Sequence, residues 1–149
     1  MVSSPLQPVM GRAAVHMERG QAAAAADLLA PLLKTSLKRE DELAIRAALA
    51  ESHLMMGDLA QANSILGRPP DAIRETIAPV LLSTLWRLHG RVAYSRGEQS
   101  RAIALHGRAL KHAEIAHDSR AIGRARYELA LCYTKVADTT IVREHIAEA

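Results

Sequence analysis

The stretch WRLHGRVAYSRGEQSRAIALHGRAL, residues 86–110, decides the reading of this chain. Its apolar residues recur three and four apart, the spacing that gathers them on one face of a 3.6-residue helix. Gly97 lies between two such runs, where a glycine permits the left-handed turn that ends one helix before the next begins. Gly90 is a small residue inside the first run and lets that helix approach a neighbour. Ala102 and Ala109 do the same for the second run, and Trp86 fills a gap between helices.

The pattern extends outward in both directions. In 43–55 the apolar face is Leu43, Ala44, Ala47, Ala48, Leu54 and Met55; in 122–133 it is Ile122, Ala125, Leu129, Ala130 and Tyr133. Gly20, Gly57 and Gly97 each follow one helical stretch and precede another, and Ala137-Asp138 occupies the same place near the C-terminus. These anchors are 37, 40 and 40 residues apart. A near-fixed period in this range marks stacked helical repeats. Strand patterning is poor, because Val, Ile and Thr do not alternate with polar residues and phenylalanine is absent. The expected class is all-α.

Composition narrows the function classes. The 149 residues include 28 alanines, one cysteine and one tryptophan. That length suits one domain with one continuous core. A single cysteine forms no internal disulfide, no apolar run approaches the roughly 20 residues of a membrane span, and the first residues lack a secretory pattern. A cytoplasmic location is expected on these grounds, and the Ala- and Arg-rich usage is compatible with a bacterial source. Residues 1–75 carry 8 basic and 9 acidic groups, whereas residues 76–149 carry 11 basic and 7 acidic. The basic second half points to an acidic partner, with a solvated basic surface as the alternative.

Residues 86–110 resemble a tetratricopeptide repeat, whose pattern runs aromatic, Leu-Gly, Tyr, Gly-Asp, Ala, aromatic and Ala across two antiparallel helices. Trp86, Gly90, Tyr94, Gly97, Ala102 and Ala109 stand at the matching offsets. A fourth unit offers Leu129-Ala130, Tyr133, Asp138, Val142 and Ala149. A second offers Leu49-Ala50, Gly57-Asp58, Ala62 and Leu66, and a first offers Gly20, Ala25 and Leu29. The resemblance implies a right-handed α-solenoid of about 3.5–4 repeats, at residues 6–38, 39–70, 79–117 and 119–149, in a single domain. The units exceed the usual length of about 34 residues and are similar to the longer-helix subtype of scaffold proteins and bacterial signalling regulators.

Local breaks qualify the pattern. Gly67-Arg68-Pro69-Pro70 is expected to stop the second helix of unit two, with 71–78 forming a short helix or an extension of the next. Pro79 suits the first turn of the helix that carries Trp86. Pro31 is expected to kink the second helix of unit one. Residues 139–149 read as the start of a further helix without a polar cap. A parent protein that continues, or a homodimer through that end, is the expectation.

The resemblance also implies that the first helix of each unit lines a concave groove. It assigns Met10, Ala14 and Met17 in unit one, and Ala44, Ala47, Glu51, Leu54 and Met55 in unit two. In unit three it assigns Thr84, Arg87, Arg91, Tyr94 and Ser95, and in unit four Arg124, Tyr127, Leu131, Thr134 and Lys135. Arg87 and Arg91 stack four apart on one face. With Arg124, Tyr94 and Tyr127 they suit acidic side chains or a terminal carboxylate; pairing with Glu98, Glu128 or solvent is the alternative. Replacing both Arg87 and Arg91 by Glu is expected to remove partner binding and spare the helical signal.

No sequence pattern here supplies chemistry. The chain has no His-Glu-x-x-His, no phosphate-binding Gly-x4-Gly-Lys loop and no Gly-x-Ser-x-Gly elbow. Cys132 reads as a small core residue. His106 and His117 lie roughly 16 Å apart along one helix face, too far to share an ion. His16 and His53 read as packing imidazoles in place of tyrosine, and His112 and His145 as solvated. Expected cofactors and metals are none. The leading expectation is a non-enzymatic protein–protein interaction module binding a peptide or partner domain, as the sensor arm of a larger bacterial regulator in one version. The alternative is a helical-repeat RNA-binding module using the basic second half, disfavoured by the four aromatics.

Overall fold

The computed structural model describes residue 3 and residues 5–148, apart from the side chains at 139, 141, 142, 145 and 148. The side chains of Val142 and His145, and the whole of Ala149, lie outside what is described. The described residues form helices joined by turns and short irregular stretches, with no strand. The α-helices are α1 (Gln7–Glu18), α2 (Ala22–Leu29), α3 (Arg39–Met55), α4 (Leu59–Leu66), α5 (Pro79–Ser95), α6 (Gln99–Ile115) and α7 (Ser119–Glu148).

Four of the helix starts have a local cause. Pro79 opens α5, where its missing N–H costs nothing. The Asp58 carboxylate accepts from the Gln61 N–H at 3.1 Å and caps α4. Asp118 accepts from the Ala121 N–H at 2.9 Å and caps α7. Glu40, Asp41 and Glu42 place three carboxylates in the first turn of α3, where the helix dipole favours them.

Four turns share one closure. Gly20, Gly57 and Gly97 have φ of +72°, +78° and +78°. The Gly57 N–H donates to the Leu54 carbonyl and the Asp58 N–H to the His53 carbonyl, and the same pair recurs around Gly20 and Gly97. This is the Schellman arrangement, which satisfies the last carbonyls of a helix. His117 takes the glycine's place between α6 and α7 with φ +52°, and its neighbours make the same two bonds.

Three sequence expectations need correction, one of them in part. The chain does not break at Ala137-Asp138: α7 runs through it without interruption to Glu148. No glycine or proline stands there, and Ala and Asp complete the turn as the preceding residues do. A short 3₁₀ helix forms at Pro70–Ala72, as one of the two expectations had it, but residues 73–78 are irregular chain and do not extend α5, because Pro69 and Pro70 remove two donors in succession. Pro31 does not bend α2; α2 ends at Leu29 and the chain tightens into a 3₁₀ helix over Ala30–Lys34.

Each helix packs on its neighbours in sequence, and α1, α3, α5 and α7 also contact one another in order. Helices α2, α4 and α6 touch the odd-numbered helices on either side and not each other. The core follows from this. One cluster joins α1, α2 and α3 around Leu29 and Ile45. A second joins α3, α4 and α5 around Leu88, with Ile77 of the irregular segment added. A third joins α5, α6 and α7 around Trp86, Ala109 and Cys132. Burying Leu29, Ile45 and Leu88 stabilises the fold by roughly 1.5–3 kcal/mol each.

Candidate functional site

The row of odd-numbered helices leaves a cleft of about 470 Å³ between α1, α3 and the start of α7. Met10, Ala14 and Met17 enter it from α1, spaced four and three apart and so on one face, with the Glu18 carboxylate at the end of that helix. Ala48, Glu51 and Met55 enter from α3, and Arg120 and Arg124 from α7. The Ser52 hydroxyl, fully buried, lies 3.1 Å from the Met17 sulfur and donates to the Ala48 carbonyl at 3.0 Å. It ties the thioether of α1 to the backbone of α3. A smaller hollow of about 100 Å³ continues past Arg120 and Arg124 to Thr84 and Arg87 of α5.

Glu51 sits where the cleft meets the α5 arginines. One Arg87 terminal nitrogen lies 3.4 and 3.5 Å from its two carboxylate oxygens. Arg91 lies 3.7 Å from Glu51 and 3.8 Å from Glu128 of α7. Two carboxylates thus balance two guanidinium groups across three helices. Arg87 is buried, so its charge is held by this pairing rather than by water. Burial raises the Glu128 carboxyl above its ordinary value, with Arg91 and Arg87 opposing and the Glu51 charge adding to the rise.

This arrangement redistributes the residues that the sequence reading grouped together. Glu51 and Arg124 line the cleft, as do Met10, Ala14, Met17 and Met55. Arg87 and Arg91 are engaged by carboxylates from α3 and α7. Tyr94 is half-buried against the Trp86 cluster. Tyr127 and Lys135 are exposed on α7 and do not line the cleft. Ala44 and Ala47 are buried in helix packing and Leu54 packs against the core, so these three belong to the fold. Arg120 was not singled out, yet it stands four residues before Arg124, the same signal that marks Arg87 and Arg91. Among the described residues neither Arg120 nor Arg124 has an ion-pair partner.

The remaining polar groups are structural in their surroundings. Cys132 is fully buried, and burial, with a contribution from Glu128, pushes its thiol up; that opposes a reactive thiolate. His16 Nδ1 lies 2.7 Å from Gln21 Oε1. His53 Nδ1 lies 3.8 Å from an Asp58 oxygen. The Arg108 guanidinium lies 4.7 Å from the centre of the Trp86 ring. Among the described residues no three His, Cys, Asp or Glu side chains are placed to hold a metal ion. None of the helices, over those residues, is long and apolar enough to cross a membrane. The chain matches no family model, no curated protein and no solved structure.

Proposed function

We propose that the chain is a protein-interaction module of the tetratricopeptide type, a superhelix of helix pairs that holds an amphipathic, acidic helical segment in the cleft between α1, α3 and α7. The observation that carries this reading is the pairing of a methionine-lined floor with two guanidinium groups that have no ion-pair partner among the described residues. Methionine adapts to an apolar ridge of varied shape. Arg120 and Arg124, one turn apart, match carboxylates one turn apart on the bound helix. The succession of helix hairpins closed alike at Gly20, Gly57 and Gly97, and the row of odd-numbered helices, support the solenoid reading.

The test is fluorescence anisotropy with labelled helix-forming peptides about 14 residues long, bearing leucine on one face and glutamate beside it. Binding by the wild type and a loss of tenfold or more in Arg120→Glu/Arg124→Glu is the expected result. Equal binding by the charge-reversed variant contradicts the assignment of the cleft. Preferential binding of single-stranded RNA with a steep loss in salt would replace this reading by the nucleic-acid one.

A further inference from the structure

The segment 67–78 that interrupts the helical pattern does more than connect α4 to α5. Pro70 and Ile77 are buried, and the Ala78 N–H donates to Glu40 at 3.4 Å, so the segment is fixed against α3. Between this wall and helices α3 and α5 lies a second cavity, of about 350 Å³. That volume is within the range of small-ligand sites, roughly 300–1,000 Å³. It shares no lining residue with the cleft described above.

Arg39 and Arg46 enter this cavity from α3, Arg68 from the loop and His89 from α5, over an apolar base that includes Leu43 and Ile73. His89 is buried, with about 7% of its surface accessible. Arg46 is held in place by Glu42 at 3.0 Å and by the Ile65 carbonyl at 3.0 Å, where it also satisfies the end of α4. Arg39 is held by Glu42 at 3.4 Å and Glu75 at 3.9 Å. Neither carboxylate lines the cavity. Arg68 has no ion-pair partner among the described residues. The acidic groups thus fix two guanidinium forks from outside, and the third is unoccupied.

We propose that this cavity binds a small organic oxyanion, its phosphate or carboxylate head against Arg39, Arg46, Arg68 and His89 and its apolar body on Leu43 and Ile73. Fork-shaped donors already held by neighbours lose little freedom on gripping an oxyanion. The apolar base selects a ligand with a non-polar body over a bare inorganic ion.

The probes are phenyl phosphate and benzoate, with benzyl alcohol as the uncharged match, at constant ionic strength. Nitrogen-15 spectra of the arginine side chains and of residues 67–73 are the readout. Saturable shifts of Arg68 and of the loop amides are expected with phenyl phosphate or benzoate, the tighter of the two naming the head group. Affinity should fall at least tenfold in Arg68→Gln, an exposed loop position that leaves the core untouched, and should persist in Arg124→Gln. Shifts no larger than those given by benzyl alcohol overturn the proposal. So does unchanged affinity in Arg68→Gln. Arg124→Gln separates this outcome from any failure of the cleft assignment.

Discussion

Gly90 of α5 lies directly against His106 of α6: a Cβ at position 90 would stand 2.6 Å from the His106 ring carbon Cε1 and 2.7 Å from Nε2. No side chain fits there, so glycine in mid-helix is required by packing, in spite of its propensity cost of about 1 kcal/mol. Gly90→Ala is expected to destabilise the chain by roughly 1–3 kcal/mol through overpacking. In a His106→Ala background the same change is expected to be neutral or stabilising, because the space is free and alanine favours the helix. A double-mutant cycle from denaturant unfolding reads the coupling; equal effects in both backgrounds contradict the contact.

His106 also makes stability depend on pH. It is fully buried and, among the described residues, neither ring nitrogen has a hydrogen-bond partner. Burial, then the Arg87 and Arg91 charges, lowers its pKa from 6.5 to about 4. The unfolded chain therefore takes up the proton first. Stability from this group is complete above about 6.5 and is lost as pH falls toward about 4. The loss is roughly 3 kcal/mol at most. The stability gap between wild type and His106→Ala should narrow across that window when urea midpoints are measured at each pH. A gap that stays constant contradicts it. Glu128, raised by burial, contributes with the opposite sign in both proteins and cancels in the comparison.

Charge reversal at Arg87 should damage folding before it damages binding. Arg87→Glu would bury a carboxylate beside Glu51, whose oxygens now lie 3.4 and 3.5 Å from the guanidinium. Glu51→Gln leaves a buried guanidinium without its main partner. Because Glu51 is itself about a quarter exposed, the expected cost is roughly 2–3 kcal/mol, below the full range for a buried pair. Arg120→Glu/Arg124→Glu should leave thermal unfolding nearly unchanged, since both side chains are exposed. Melting curves by circular dichroism separate the two classes; a melting point for Arg87→Glu equal to the wild type's contradicts the buried pair.

The left-handed residue at His117 offers a gain. Its φ of +52° is one that glycine adopts without strain, and three equivalent turns already use glycine. His117→Gly should stabilise the chain by about 0.5–1 kcal/mol, the strain relieved exceeding the added freedom of the unfolded chain. A lower melting temperature contradicts it.

The helical class was legible because Gly20, Gly57 and Gly97 separate runs of 3.6-residue periodicity, and local chemistry alone makes those turns. The continuity of α7 was not. Ala137-Asp138 matched a turn only by its distance from Gly97, and position in a period carries no force where neither glycine nor proline breaks the helix. The site was half legible. The resemblance assigned Met10, Ala14 and Met17 to the groove side of the first helix, and all three line the cleft. Spacing within α5 gave no sign that Glu51, from another helix, would occupy Arg87, because ion pairing between helices depends on their packing. Arg120 carried a usable signal in its distance from Arg124.

Three of the five methionines, Met10, Met17 and Met55, line the cleft, while Met56 is exposed outside it. Titrating carbon-13 methyl-labelled protein with the leucine- and glutamate-bearing peptide therefore tests the cleft directly. Shifts of Met10, Met17 and Met55 with Met56 unmoved are the predicted result. Peptide binding that moves Met56 alone, or leaves all four methyls in place, would contradict the account.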